Sequence, residues 1–137
     1  MATSFHLSLP CINLVETKMF YVDNIGASLG RYSQNWLDIN LFGHQLTFTN
    51  AGAFNLSAPN YKFEGKVLGA FHFGVILDIE SFNNIYEKLS AKDLKLSTKL
   101  TFLKEKQGEH LSFFVKDPNN YQLEFKSFKN NDEIFKL

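Results

Sequence analysis

Cysteine is all but missing from this 137-residue chain: Cys11 stands alone. No internal disulfide can form, and a lone thiol fits a reducing cytoplasm. With no base beside it in sequence, Cys11 reads as a small buried thiol rather than a nucleophile. Net charge is missing as well, with 14 basic residues against 14 acidic ones. Such a balance offers no field to recruit nucleic acid or an anionic membrane. Apolar runs are too short to span a bilayer, and no signal-peptide core follows Met1. Low-complexity segments are absent. What remains, 45% apolar and 20% charged, is the composition of a globular protein. The length allows one domain or two small fused modules, and fifteen phenylalanines supply a large packing core.

The chain punctuates itself into two similar halves. A first strand is predicted over Ser4 to Ile12. Asn13 then stands as an N-cap with Glu16 three residues on, a capping-box spacing. The helix that follows carries Val15, Met19 and Val22 on one face, with Phe20 beside them, and should stop near Gly26. Strands are expected around Trp36 to Leu41 and Gln45 to Thr49, with Gly43 at the turn. Asn, Ala, Gly, Ser and Pro dominate residues 51–69, which read as a linker and candidate lid.

A second strand–helix unit begins at Phe71 to Asp78. Ser81 is the expected helix cap, and Phe82, Ile85, Tyr86 and Leu89 follow a helical spacing. Strand candidates come next at Lys99 to Lys104, His110 to Val115 and Tyr121 to Phe128. Lys116-Asp117-Pro118-Asn119-Asn120 forms the last turn. The expected organisation is a first module over 1–50, a linker over 51–69, a second module over 70–128 and a polar tail over 129–137.

Strand parity sorts the polar residues. His6 and Ser8 oppose Phe5, Leu7 and Leu9. His72 opposes Phe71, Phe73 and Val75. Glu124, with Gln122 and Lys126, opposes Leu123 and Phe125. Gln45 and Thr47 oppose Leu46 and Phe48; Asp38 and Asn40 oppose Leu37, Ile39 and Leu41; His110 and Ser112 oppose Leu111 and Phe113. The apolar faces would pack on the helices. The other faces hold His, Ser, Thr, Gln and Asn rather than the Lys and Glu of a solvated side, which points to a cavity lining. His44 has the wrong parity and adjoins the turn. His6 and His72 sit in matching settings, Phe5-His6-Leu7 and Phe71-His72-Phe73, close to half the chain apart. Two imidazoles and the Glu124 carboxylate, if they converge, make a facial metal triad with open coordination positions.

These residues carry a resemblance. Phe5-His6-Leu7 leads into a helix with Phe20-Tyr21 and Ile25-Gly26, and Phe71-His72-Phe73-Gly74 opens the second half. Most specific is Phe113-Phe114-Val115-Lys116-Asp117-Pro118-Asn119-Asn120-Tyr121-Gln122-Leu123-Glu124. Over about Ser4 to Phe128 the chain resembles the vicinal oxygen chelate superfamily of glyoxalase I, extradiol dioxygenases and fosfomycin- and bleomycin-resistance proteins. It looks closest to small extradiol-type dioxygenases, through Trp36 to Gln45. The resemblance implies an α+β fold: two fused βαβββ modules forming a curved, partly closed mixed sheet with helices outside. It implies His6, His72 and Glu124 as metal ligands, with Gln45 the candidate fourth; aligning the two halves instead puts Thr47 opposite Glu124.

The implied cofactor is a divalent ion, Fe(II) first, with Mn(II), Ni(II) or Zn(II) as alternatives. The implied activity is cleavage of a small catechol or vicinal diol. His110 is the candidate acid or base, and Lys126 the partner for a substrate carboxylate or enolate. Ser8, Trp36, Asp38, Asn40 and Ser112 would shape the substrate pocket. Alternatives are a glyoxalase-like isomerase or lyase, an epoxide-directed transferase, and a non-catalytic drug-binding protein. A cytoplasmic homodimer without nucleic-acid or membrane partners is expected.

Overall fold

The computed structural model describes residues 2–137. The described residues divide into two compact units: residues 2–56 joined by the turn 117–120, and residues 57–116 with 121–137. Each contains a βαβββ module, preceded in the second unit by a hairpin.

Unit 1 runs β1 (His6–Cys11), α1 (Leu14–Lys18), β2 (Ser28–Tyr32), β3 (Trp36–Leu41) and β4 (His44–Asn50). Its sheet has the order β1-β4-β3-β2, with β1 parallel to β4 and the other pairs antiparallel. Asn13 caps α1, its side chain accepting the Glu16 amide as the capping-box spacing predicts. Met19–Ile25 then continues as a π-helix, and Gly26 ends it in the left-handed region at φ 89°.

The buried face of this helix differs from the one expected. Thr17, Phe20, Tyr21 and Ile25 point inward, whereas Val15 and Met19 are exposed. Both faces are apolar enough to compete. The aromatic rings bury more area, and the Tyr21 ring packs on Phe48 with centroids 4.9 Å apart. Its hydroxyl donates to Asp117 at 2.9 Å. Asn119 completes this buried polar layer, accepting the Ile12 amide at 2.7 Å and donating to the Thr17 hydroxyl at 3.2 Å.

Unit 2 begins with a hairpin inside the stretch read as linker: β5 (Asn60–Phe63) and β6 (Lys66–Gly69), joined by Glu64-Gly65 with φ of 49° and 76°. Positive φ at both central residues marks the two-residue turn that matches strand twist. β7 (His72–Ile76), α2 (Ile79–Ser90), β8 (Leu100–Phe102), β9 (His110–Lys116) and β10 (Gln122–Phe128) follow. Their sheet, β7-β10-β9-β8, repeats the unit 1 order and pairing directions. Asp78, not Ser81, is the cap of α2: it accepts the Ser81 amide and hydroxyl, both at 2.8 Å. Phe82, Ile85 and Leu89 are buried as the spacing requires, and Phe82 packs on Phe113. A short 3₁₀ turn at Asn131–Glu133 lies in the tail.

Candidate metal centre

The two ladders are in the same register. His6 pairs with Gln45 and Ser8 with Thr47; His72 pairs with Gln122 and Gly74 with Glu124. Thr47, rather than Gln45, therefore stands where Glu124 stands in the other module. Trp36 and Asp38 match Ser112 and Phe114, the β9 partners of Lys126 and Glu124.

In unit 2 the structure brings His72, Glu124 and Lys126 together. Parallel pairing places Gly74 beside Glu124 so closely that a Cβ on Gly74 would run into the Glu124 carbonyl. Only glycine lets β7 lie this near β10, and that approach sets His72 against the carboxylate. His72 Nδ1 donates to the Gly69 carbonyl at 2.8 Å. In the neutral ring that fixes the lone pair on Nε2, which faces Glu124 Oε1 at 3.5 Å. Phe114 meets the imidazole edge-on at 5.5 Å, and Tyr61 of the hairpin lies parallel to it at 6.4 Å.

Glu124 is 8% exposed, yet its nearest polar contacts are His72 at 3.5 Å and the Lys126 ammonium at 3.7 Å. Both exceed the roughly 2.7–2.9 Å of a good charge-assisted hydrogen bond. Two donor atoms each about 2.1 Å from one ion stand roughly 3.0–3.4 Å apart. The His72–Glu124 spacing therefore suits a shared cation better than a direct bond. A ligating imidazole whose other nitrogen donates to a carbonyl is the usual support for such a site. By donor set and geometry these residues fit a divalent ion.

The other predicted residues lie in unit 1 or elsewhere in unit 2. His6 and Ser8 lie exposed on β1 of unit 1. No group of three or more His, Cys, Asp or Glu side chains suited to a metal occurs among the described residues. Gln45 donates through Nε2 to Asp38 at 3.1 Å. Asp38 is buried and accepts from Thr47 at 2.7 Å and from Arg31 at 3.3 Å, with Arg31 also stacked over Trp36. Asn40 caps the β3–β4 turn by accepting the Gly43 amide. Ser112 is fully buried, and its hydroxyl has no hydrogen-bond partner among the described residues.

His110 pairs with Phe128, four residues beyond Glu124 on β10, or about 13 Å along the strand. It is held between the Phe102 and Phe128 rings with Nδ1 on the Gly108 carbonyl. The structure does not bring it to the His72–Glu124 pair. Cys11 is buried, and that burial pushes its thiol above the ordinary 9.0 despite a bond from Thr17.

The hairpin residues were missed from sequence. Tyr61 covers His72, Phe63 packs on Phe102, and Lys66 donates to the Thr101 carbonyl at 3.3 Å. The available signal was Tyr-x-Phe alternation before Glu64-Gly65, a hairpin pattern.

The fold is shared with solved structures. A glyoxalase/bleomycin resistance protein/dioxygenase from Alicyclobacillus acidocaldarius is similar with a TM-score of 0.81 at 25% identity, over 97% of this chain and 96% of that one. FosX, the genomically encoded fosfomycin resistance protein of Listeria monocytogenes, gives 0.68 at 15% identity, over 97% and 98% of the two chains. At that identity the likeness is one of fold. No protein-family model matches the sequence, and no curated protein is significantly similar to it. The structural neighbours are thus glyoxalase/bleomycin resistance/dioxygenase proteins, members of the vicinal oxygen chelate superfamily.

Proposed function

We propose that this chain is a metal-dependent enzyme of the vicinal oxygen chelate type, with His72 and Glu124 as two ligands and His6 as the third. The observation that carries the reading is the buried Glu124 carboxylate, which faces His72 Nε2 at 3.5 Å, longer than a good charge-assisted hydrogen bond. Gln45, its amide nitrogen turned to Asp38, would present its carbonyl oxygen if it served as a fourth ligand. A divalent ion held there supplies Lewis acidity and, as Fe(II), redox capacity.

The finer reading is cleavage of a small catechol or vicinal diol by an Fe(II) form. In it Lys126, 3.7 Å from Glu124, holds the developing negative charge on a substrate oxygen. Tyr61 and Phe114 shield His72 from water and fix its ring. His110 exchanges a proton with the far end of a substrate rather than with atoms beside Glu124. Ser8, Trp36, Asp38, Asn40 and Ser112 shape the surrounding surface. The working form is a homodimer in the cytoplasm. A glyoxalase-like or epoxide-directed reaction with Ni(II), Zn(II) or Mn(II) uses the same ligands and differs in substrate.

One observation favours a second reading. Lys126 already supplies a positive charge to Glu124, and a metal-free protein that binds a small molecule would need no other cation.

Anaerobic reconstitution with Fe(II), Mn(II), Ni(II) and Zn(II), followed by elemental analysis, separates the two. About one ion per chain is expected, lost in His72→Ala and Glu124→Gln. Oxygen uptake with a catechol panel supports the dioxygenase, and hemithioacetal isomerisation supports the glyoxalase-like reaction. Wild-type protein that takes up no metal overturns every enzyme reading.

A further inference from the structure

Unit 1 contains an open cavity of about 270 Å³ lined by Ser4, Gly30, Arg31, Asp38, Asn40, Gly43, His44 and Gln45. His6, His72 and Glu124 do not line it; Gln45, the candidate fourth ligand, does, and so does His44, whose parity differs from that of the other strand histidines. The hydrogen bonds around it decide which polar groups are left for a ligand.

Asp38 is already surrounded by donors: Thr47 on one oxygen, and Gln45 Nε2 with two nitrogens of Arg31 on the other. Its acceptor capacity is largely used. Arg31 directs Nε and one Nη2 hydrogen at that oxygen, which leaves the Nη1–Nη2 edge, the edge that grips a carboxylate in bidentate fashion. The guanidinium is also steadied from its face by Trp36 at 5.6 Å.

Asn40 uses Oδ1 to accept the Gly43 amide at 2.7 Å, so its NH₂ remains. His44 uses Nδ1 to accept the Phe5 amide at 3.0 Å. Its ring proton therefore sits on Nε2, a second free donor. Gln45, with its nitrogen on Asp38, keeps one acceptor, Oε1. Gly30 forms part of the wall, where a Cβ would stand 3.2 Å from the Asp38 Cβ. The side chains lining the cavity thus keep donors on Arg31, Asn40 and His44, the first of them a cation paired with Asp38, an acceptor on Gln45, and the Ser4 hydroxyl, which can do either.

We propose that this cavity binds a small hydroxycarboxylic acid. The carboxylate would take Arg31, Asn40 and His44, and the hydroxyl would donate to Gln45. The volume falls below the roughly 300–1,000 Å³ of pockets for drug-sized ligands, which favours acids of a few carbons. The inference does not rest on the metal reading.

The test uses the whole chain, metal-loaded and metal-free, titrated with lactate, malate, acetate and inorganic phosphate by two-dimensional amide NMR. Lactate or malate should give saturable shifts at Gly30, Arg31, Asn40, Gly43 and His44. Affinity should fall roughly tenfold or more in Arg31→Gln. Asn40→Asp guards against a folding artefact: it keeps the oxygen that accepts from Gly43 but replaces the donor with a negative charge, and should weaken binding to a similar degree. Arg31 is the chain's only arginine, so phenylglyoxal adds at one site, and lactate should slow that adduct in intact-mass measurements. Absence of saturation, affinity unchanged in both variants, or phosphate binding as tightly as the hydroxy acids overturns the proposal. Neither variant touches His6, His72 or Glu124, so loss of hydroxy-acid binding with metal uptake intact, or the reverse, tells the two readings apart.

Discussion

The two modules share a topology and a ladder register, and each buries one carboxylate on its polar face, but the two carboxylates are treated in opposite ways. Asp38 in unit 1 accepts from Thr47, Gln45 and Arg31 at 2.7 to 3.3 Å. The Glu124 carboxylate in unit 2 has no charged partner nearer than 3.5 Å among the described residues. A buried charge costs several kcal/mol unless its partners compensate. Asp38 is compensated within its own module and organises side chains around itself. Glu124 has only the longer contacts to His72 and Lys126, and a carboxylate so placed still gains from a closer cation. One strand position holds Thr47, part of a hydrogen-bonded network, in one module and Glu124, the proposed metal ligand, in the other.

The comparison can be broken most severely at the glycine behind Glu124. Gly74→Ser should cost roughly 3 kcal/mol or more in urea unfolding, because the new Cβ meets the Glu124 carbonyl. The matching change in unit 1, Ser8→Gly, should cost less than about 1 kcal/mol, since Ser8 is exposed.

Next come the carboxylates themselves. Asp38→Asn should destabilise by roughly 2 kcal/mol, because donors from Arg31, Gln45 and Thr47 lose their common acceptor. Glu124→Gln should leave metal-free stability unchanged or slightly higher while abolishing metal uptake. Equal losses in the two variants, read from chemical denaturation, would remove the distinction between them.

A smaller contrast lies in the helices. Tyr21→Phe removes the bond to Asp117 and should cost about 1–2 kcal/mol. Tyr86→Phe in α2 should be close to neutral, since the cation above its ring, Lys99 at 4.8 Å, can stay.

The smallest effects are in pH. Bonds from the Ser81 amide and hydroxyl hold the Asp78 carboxyl below its ordinary 3.8. Its contribution is therefore full above that value and lost as pH falls through the folded one. Cys11 works at the other end: burial raises its folded value above 9.0. Its contribution is full below 9.0 and declines as pH rises through the folded value. Asp78→Asn should flatten the acid limb of the stability profile, and Cys11→Ala the alkaline limb. An unchanged profile in either variant removes that group from the account.

Both modules were legible in the sequence because their punctuation is strong. Asn13 with Glu16, Gly26, Gly43 and the turn after Lys116 fall where the chain changes direction. Strand parity placed Glu124 and His72 on one face, and the register makes them near neighbours. β2 escaped because Ser28-Leu29-Gly30-Arg31-Tyr32 is an exposed edge strand with little apolar alternation. The face of α1 was misassigned because apolar counting credits Val15 and Met19 but not a tyrosine and a threonine buried through hydrogen bonds. Arg31 and His44 were passed over for a similar reason. Their significance depends on which of their atoms are already engaged, and that is a property of neighbours brought in by folding.

The turn Asp117–Asn120 connects two strands of unit 2 yet packs as part of unit 1, supplying Asn119 to Ile12 and Thr17 and Asp117 to Tyr21. A gene fragment ending at Leu56 would encode every strand of the first sheet and still leave the Ile12 amide and the Tyr21 hydroxyl without their native partners. The halves are therefore not interchangeable cassettes: the first can be redesigned only with a turn that the strands of the second deliver.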